Sequence, residues 1–331
     1  MLRIRLVIFL VVLCTNIFSL QAGEIGGIQL TPLMDAVNEK DLNKVVKLLD
    51  KGVNPNEKVD RGLTALWLAV ASSNVEAVRV LLERGATQKI YNDISPLSVA
   101  VRLEDNLVST QIASLLIEHG LPAGHINENG MMPDLVTAIF HKNTALVKLL
   151  IDNGASVNTA SEKGRSPLNL AVSTGQYDVV QLLIGAGAQA NNESLTLAYA
   201  LVDPTILKLV IENGIDPNTY VPVGEYKESL IQVAFNTNNA ESIKVLVENG
   251  IDVNAVTRKG TAPLVFASQM GHVDLARFML KKGADISMKD HAGNDALFYA
   301  EKNGYVEIAE MLRLAAQQST TSESNELIPG K

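Results

Sequence analysis

The chain has 331 residues, of which 47% are hydrophobic, 5% aromatic and 19% charged, and its net charge is -8. That acidic balance argues against a nucleic-acid partner, because such affinity rests largely on Lys and Arg displacing counterions from phosphates. With few aromatics, a core must be built from Ala, Val, Leu and Ile, which suits short, closely packed helices.

Residues 1–22 read as a secretory signal: Arg3 and Arg5 without an acid, eight unbroken apolar residues from Leu6 to Leu13, then a mixed stretch in which Ala22 can precede the cut. Leu20 is large for the position two before cleavage, so an anchor retained over residues 4–20 is the alternative. Cys14, Thr15, Asn16 and Ser19 interrupt that stretch, and a bilayer needs about 20 apolar residues. The expectation is an exported, periplasmic or secreted product. Cys14 is the only cysteine, so cleavage leaves no thiol and no disulfide, and 26 bases against 36 acids. The VVL before Cys14 lacks the small residue normally found ahead of a lipid-modified cysteine.

From residue 26 onward the chain repeats itself. ENGIDPN at 212–218 returns as ENGIDVN at 248–254, and the glycine of that motif marks a period. Gly52, Gly85, Gly120, Gly154, Gly187, Gly214, Gly250 and Gly283 each follow an apolar run such as VVQLLIGAG, with gaps of 33, 35, 34, 33, 27, 36 and 33. Val179, Val180, Leu182 and Leu183, flanking Gln181, lie along one side of a helix. The glycine then stops it, since the position beyond a helix end favours a positive φ. Stretches such as TPLMDAV from Thr31, TALWLAV from Thr64, SPLNLAV from Ser166 and APLVFAS from Ala262 stand 21 residues before their glycines. Their Ser or Thr can cap a helix and their Pro suits its first position. A ninth, DALFYAE from Asp295, has no ruler glycine after it. Each unit is thus a short helix, a tight turn, a longer helix and a loop.

GTAPLVFASQMGHVDLARFMLKKGADI at 260–286 and GRSPLNLAVSTGQYDVVQLLIGAGA at 164–188 resemble the ankyrin repeat family almost end to end. The resemblance covers residues 26–316 and implies an all-α solenoid of about nine helix-turn-helix units with projecting turns, each unit completing its neighbour's core. It departs from the family at the histidine of the first helix, which is replaced by Trp67, Ser98, Asn169, Gln232 and Val265 among others. Trp67 is then a hot-spot anchor or, because that position is mostly covered by the next unit, core filler. Residues 317–331 open on QQSTTSESNE without an apolar residue and are expected to form a disordered tail.

The resemblance also implies where partners are held: on projecting turns and the exposed side of the first helices, which together form a concave surface. Position by position this selects Asp60, Arg61, Leu63 and Ser72; Lys163, Arg165 and Thr174; Arg258, Lys259, Gln269 and Met270. From ruler glycine to the next helix start the usual count is 12, but it is 6 after Gly187 and 15 after Gly214. The longer loop, DPNTYVPVGEYKE, adds Tyr220 and Tyr226 beside prolines, either as a recognition loop or as one packed back on its scaffold.

Little points to chemistry. His119, His125, His141, His272 and His291 are scattered, with no HExxH and no Cys/His cluster for a metal. GAGAQA at 185–190 matches a dinucleotide fingerprint but follows a helix rather than a strand. NES at 192–194 is a glycosylation sequon, meaningful only on passage through an endoplasmic reticulum. The expected function is an exported, monomeric, non-catalytic binder of one or more proteins, without cofactor or nucleic acid. A membrane-tethered adaptor is the alternative, and an enzyme with a site in the irregular loops the third reading.

Overall fold

The structure is a computed structural model and describes residues 24–25, 28–59, 62–87, 95–123, 133–159, 166–189, 202–223 and 226–326. The leader and its alternative anchor over residues 4–20 lie outside these. So do the short helix expected from Glu193, the GAGAQA end at Ala190 and the sequon at Asn192.

The chain divides into two compact units, one holding residues up to Ala171 with Gln181–Gln189, the other Val172–Val180 with the residues from Ala190 onward. Unit 1 opens with a small antiparallel pair, β1 (Glu24–Ile25) and β2 (Ile28–Gln29). Four helical hairpins follow: α1 (Pro32–Asn38) with α2 (Leu42–Asp50), α3 (Ala65–Ala71) with α4 (Val75–Glu83), α5 (Pro96–Ala100) with α6 (Asn106–Glu118), and α7 (Asp134–Phe140) with α8 (Thr144–Asp152). A fifth, α9 (Pro167–Ser173) and α10 (Tyr177–Gly185), is shared by the division. Unit 2 contains α11 (Pro204–Glu212), an antiparallel pair β3 (Tyr220–Val223) and β4 (Tyr226–Ser229), α12 (Leu230–Asn236) with α13 (Ala240–Glu248), α14 (Pro263–Met270) with α15 (Val273–Lys281), and α16 (Ala296–Lys302) with α17 (Val306–Glu326). The architecture is an all-α repeat solenoid with two minor strand pairs among the described residues.

Helix starts follow the expected chemistry. The hydroxyls of Thr31, Thr64, Ser95, Ser166 and Ser229 accept from the amide three residues on, at 3.3, 3.2, 3.0, 3.1 and 3.4 Å. The longer helices use a second set of caps, with Asp41, Asn74, Asn143 and Asn239 accepting in the same way. Ends are equally regular: Gly85 N donates to Leu82 O and Ala86 N to Leu81 O, a closure that needs the left-handed backbone Gly85 adopts at φ 83°. The mid-turns of the hairpins other than α5–α6 are left-handed too, yet only some spend a glycine there: Lys40, Ser73, Lys142 and Asn238 adopt φ of 56°, 57°, 54° and 53°. Gly271 has a further reason to lack a side chain, since a Cβ there would meet the Tyr305 ring at 2.6 Å.

Packing follows type. Within unit 1, α1 lies on α3 and α3 on α5, while α2, α4, α6 and α8 stack in turn; in unit 2, α11, α13, α15 and α17 stack in turn and α14 lies on α16. The core residues are aliphatic, with Leu81, Leu116, Leu146 and Leu150 fully buried, each worth about 1.5–3 kcal/mol over exposure. Trp67, at 6% exposure, is core filler. Where Phe235 and Phe266 meet, their rings stack with centroids 4.3 Å apart.

Neighbouring units are also stitched by an asparagine four residues past the ruler glycine. Asn56 Nδ2 donates to Gly85 O at 2.9 Å while its Oδ1 accepts from Thr87 N at 2.6 Å. Asn158 does the same to Gly187 O and Gln189 N, at 3.2 and 2.7 Å, and Asn254 Oδ1 accepts from Asp285 N at 2.9 Å. The terminal N of ENGIDVN is therefore a clamp reaching into the next unit, a role that reading the motif as a turn had missed.

The far end differs from expectation. α17 continues to Glu326, through residues expected to be disordered from 317. Residues 317–326 have no apolar residue to pack, but they also have no Gly or Pro to interrupt an established helix.

Two substitutions test this packing. Leu183→Ala, at a fully buried position, is expected to cost about 2–5 kcal/mol in urea unfolding. Lys142→Gly, which relieves an exposed left-handed residue, is expected to stabilise by about 0.5–1 kcal/mol in the same titration.

Candidate functional site

The connections between hairpins form narrow projecting turns, or fingers, with a common backbone plan. In unit 1, Val59 N donates to Leu63 O and Gly62 N to Val59 O, at 3.1 and 2.9 Å. In unit 2, Thr257–Thr261 and Asp290–Asn294 repeat these two bonds at 3.1 and 2.9 Å, and at 3.0 and 2.9 Å. The first residue of each unit 2 finger adds a side-chain brace. Thr257 Oγ1 accepts from Lys259 N and Thr261 N, and Asp290 Oδ1 accepts from Ala292 N and Asn294 N. The other oxygen of Asp290 accepts from the Tyr299 hydroxyl at 2.5 Å, tying the finger to α16. That hydrogen bond, with the two backbone donors, holds the Asp290 carboxyl below its ordinary 3.8.

The unit 2 fingers meet at Lys259, Gly260 and His291. His291 N donates to Lys259 O at 3.0 Å, and Gly260 leaves room for the His291 ring, which a Cβ would strike at 2.6 Å. On the other side the long loop after α11 is the β3–β4 hairpin, with Tyr220 opposite Ser229 and Val223 opposite Tyr226. Val221 is fully buried and anchors it, while Tyr220 stands 62% exposed. Arg258 fastens the hairpin to the next finger: its Nη2 donates to Lys227 O at 3.1 Å and its backbone N to Gln232 Oε1 at 3.2 Å. The two readings of this loop are thus combined, because one side of the strand packs on the scaffold and the other faces outward.

The remaining expected residues sort by place. Asp60, Arg61, Lys163 and Arg165 lie outside the described residues, as does the side chain of Tyr226. Leu63 is only 4% exposed and packs inside the finger base, so an apolar residue at this position serves the core; it is withdrawn from the surface set. Ser72 is half-buried, its hydroxyl donating to Ala69 O at 3.2 Å. Thr174 is exposed and accepts from Gln176. Lys259 and Arg258 are exposed at their finger tip, Gln269 is half-buried with its carbonyl accepting from Asn303 Nδ2 at 3.1 Å, and Met270 is 45% exposed at the end of α14.

One residue was missed. Phe140 ends α7, the same repeat position that Gln269 occupies in α14, and it is 65% exposed with its ring edge-on to His141. The repeat alignment that selected Gln269 also reaches Phe140, but that unit opens on the atypical Pro133-Asp134.

Among the described residues, no group of three or more His, Cys, Asp and Glu side chains is placed to hold a metal ion, and no helix is long and apolar enough to cross a membrane. His272 sits in the mid-turn before α15, its Nε2 2.7 Å from Asn238 Oδ1 of the preceding turn. Arg102 lies 3.7 Å from the buried Asp134 carboxylate; burial lowers the guanidinium pKa and the neighbouring charge opposes that.

Comparison with known proteins agrees with this architecture. The family model described as ankyrin repeats in three copies matches residues 33–129, 108–194, 135–221, 195–290 and 230–322. An ankyrin repeat protein of fowlpox virus, FPV222, is 32% identical over 161 residues, covering 45% of this chain and 19% of its own length. The ankyrin repeat protein YahD of Escherichia coli is 26% identical over 190 residues, 46% of this chain and 94% of that protein. The human transient receptor potential cation channel subfamily A member 1 is 26% identical over 181 residues, 49% of this chain and 16% of the channel. The matched stretch thus spans less than a fifth of the fowlpox protein and of the channel.

The braced finger carries a pH signature. Asp290, Asp203 and Asp285 are each held low, chiefly by side-chain hydrogen bonds from Tyr299, Thr205 and Ser287. A carboxylate lowered in the folded state contributes stability above its unfolded pKa, near 3.8, and loses it as pH falls through the native value. Urea midpoints are therefore expected to fall as pH drops below about 4, with a shallower slope in Asp290→Asn than in the parent chain.

Proposed function

The chain belongs to the ankyrin-repeat family, a family of protein-interaction scaffolds, and on that premise we propose that it is a non-catalytic binding protein. It grips one or more partner proteins with its finger tips and the exposed side of its short helices. The observation that carries this reading is the pairing of rigid backbone with unburied side chains. The unit 2 fingers are braced by Thr257, Asp290 and the His291–Lys259 bond, Tyr220 stands exposed on the hairpin joined to them, and Met270 is exposed at the end of α14. Unit 1 presents Phe140, exposed at the end of its own short helix. Side chains held by a fixed scaffold lose little entropy on contact, which favours affinity.

The place of action forms part of the proposal. The basic, apolar and small-residue segments of residues 1–22 support export with cleavage near Ala22, giving a periplasmic or secreted protein. Retention of residues 4–20 as an anchor would instead make it a membrane-tethered adaptor. Mass spectrometry of the N-terminus from cells separates the two.

Capture of partners from the native cell by immobilised mature chain tests the binding role. Phe140→Glu and Met270→Glu, at exposed sites, are expected to leave circular dichroism unchanged. At least one should weaken capture about tenfold, the effect of losing one well-packed contact. Capture unaffected by both removes the short-helix ends from the surface, and robust turnover of a substrate panel by the pure chain would displace the non-catalytic reading.

A further inference from the structure

The finger tips of unit 2 run against the charge of the chain. Over residues 226–229, 256–260 and 288–292 the basic residues are Lys227, Arg258, Lys259 and Lys289, joined by His291, and the acidic ones are Glu228 and Asp290. Both acids already have partners: Glu228 accepts from Asn236 Nδ2 at 3.0 Å, and Asp290 accepts from Tyr299 and from its own finger. Lys227, Lys259 and Lys289 are exposed, and none of them is in an ion pair among the described residues. The contacts of Arg258 with Lys227 O and of His291 with Lys259 O set the three tips side by side. Exposed apolar surface adjoins them at Tyr220 and at Val256, which is 49% exposed.

The hairpin at this site is poorly suited to strand addition. Pro222 stands opposite Lys227, and with no N–H it offers an incoming strand its carbonyl alone. On the other strand, the Lys227 carbonyl is occupied by the Arg258 guanidinium. Recognition here therefore falls to side chains: a cationic row beside an aromatic ring.

We propose that this platform binds an acidic peptide segment of a partner protein, whose carboxylates meet Lys227, Lys259 and Lys289 while an apolar residue rests on Tyr220 and Val256. The inference rests on the protein-binding reading and names the chemistry of the partner. A long polyanion such as nucleic acid fits less well, because the row is short and the chain around it carries net negative charge.

Fluorescence anisotropy of the full chain with a labelled twelve-residue peptide of glutamates around a central tryptophan tests it, against a lysine peptide of the same design. The acidic peptide is expected to bind and to weaken as salt rises. The double change Lys227→Glu, Lys259→Glu should weaken it about tenfold, whereas Lys51→Glu, exposed in unit 1, should not. Tyr220→Ser, which leaves the charges in place, is expected to weaken it less steeply and without altering the salt dependence. Absence of binding, or binding that survives the double reversal, overturns the proposal. Salt-sensitive self-association abolished by the same reversal would assign the patch to a second copy and overturns it as well. Native partners still captured by the double variant would end this inference while leaving the protein-binding role standing.

Discussion

A two-helix hairpin of this size has one apolar side too many, and the rest of the structure follows from that surplus. Leu81 and Leu82 of α4 or Leu146 and Val147 of α8 cannot be buried within their own hairpins; they are covered because a neighbouring hairpin lies against them, long helix on long. Stability in such an arrangement is close to a sum of unit and neighbour terms. The asparagine clamps add direction to this non-specific adhesion. Asn56, Asn158 and Asn254 each bond to backbone about 30 residues on, so the apolar faces meet in one register.

Register in the stack becomes geometry at the surface. Fingers leave the stack at points the clamps define, and in unit 2 each is stiffened again by its first residue and by its neighbour. The chain thereby holds exposed cations and Tyr220 in fixed places on loops, segments that would otherwise be the most mobile part of a protein. Recognition by such a surface needs no reactive group; it needs spacing.

Most of the stack was legible in the letters. Ruler glycines predicted helix ends that the structure closes with left-handed backbone, and Ser or Thr before the short helices predicted the caps. What escaped had physical reasons. Lys40, Ser73, Lys142 and Asn238 take a glycine-like conformation without being glycine, which composition cannot reveal. The β3–β4 hairpin was read as a loop because Pro222 and the short run between Tyr220 and Ser229 disguise alternation. Leu63 was assigned to the surface by analogy of position, but its apolar side chain turned inward. Phe140 escaped because its unit begins with an atypical Pro133-Asp134 start.

The account depends on stability being local, each hairpin sustained by the ones beside it. Amide hydrogen exchange of the full chain carrying Leu116→Ala, at a fully buried site in α6, reads this directly. Exchange should accelerate in α3–α8, the hairpin and its neighbours, while amides of α14–α17 keep their parental rates. Equal acceleration throughout, as in a single cooperative globule, would contradict it.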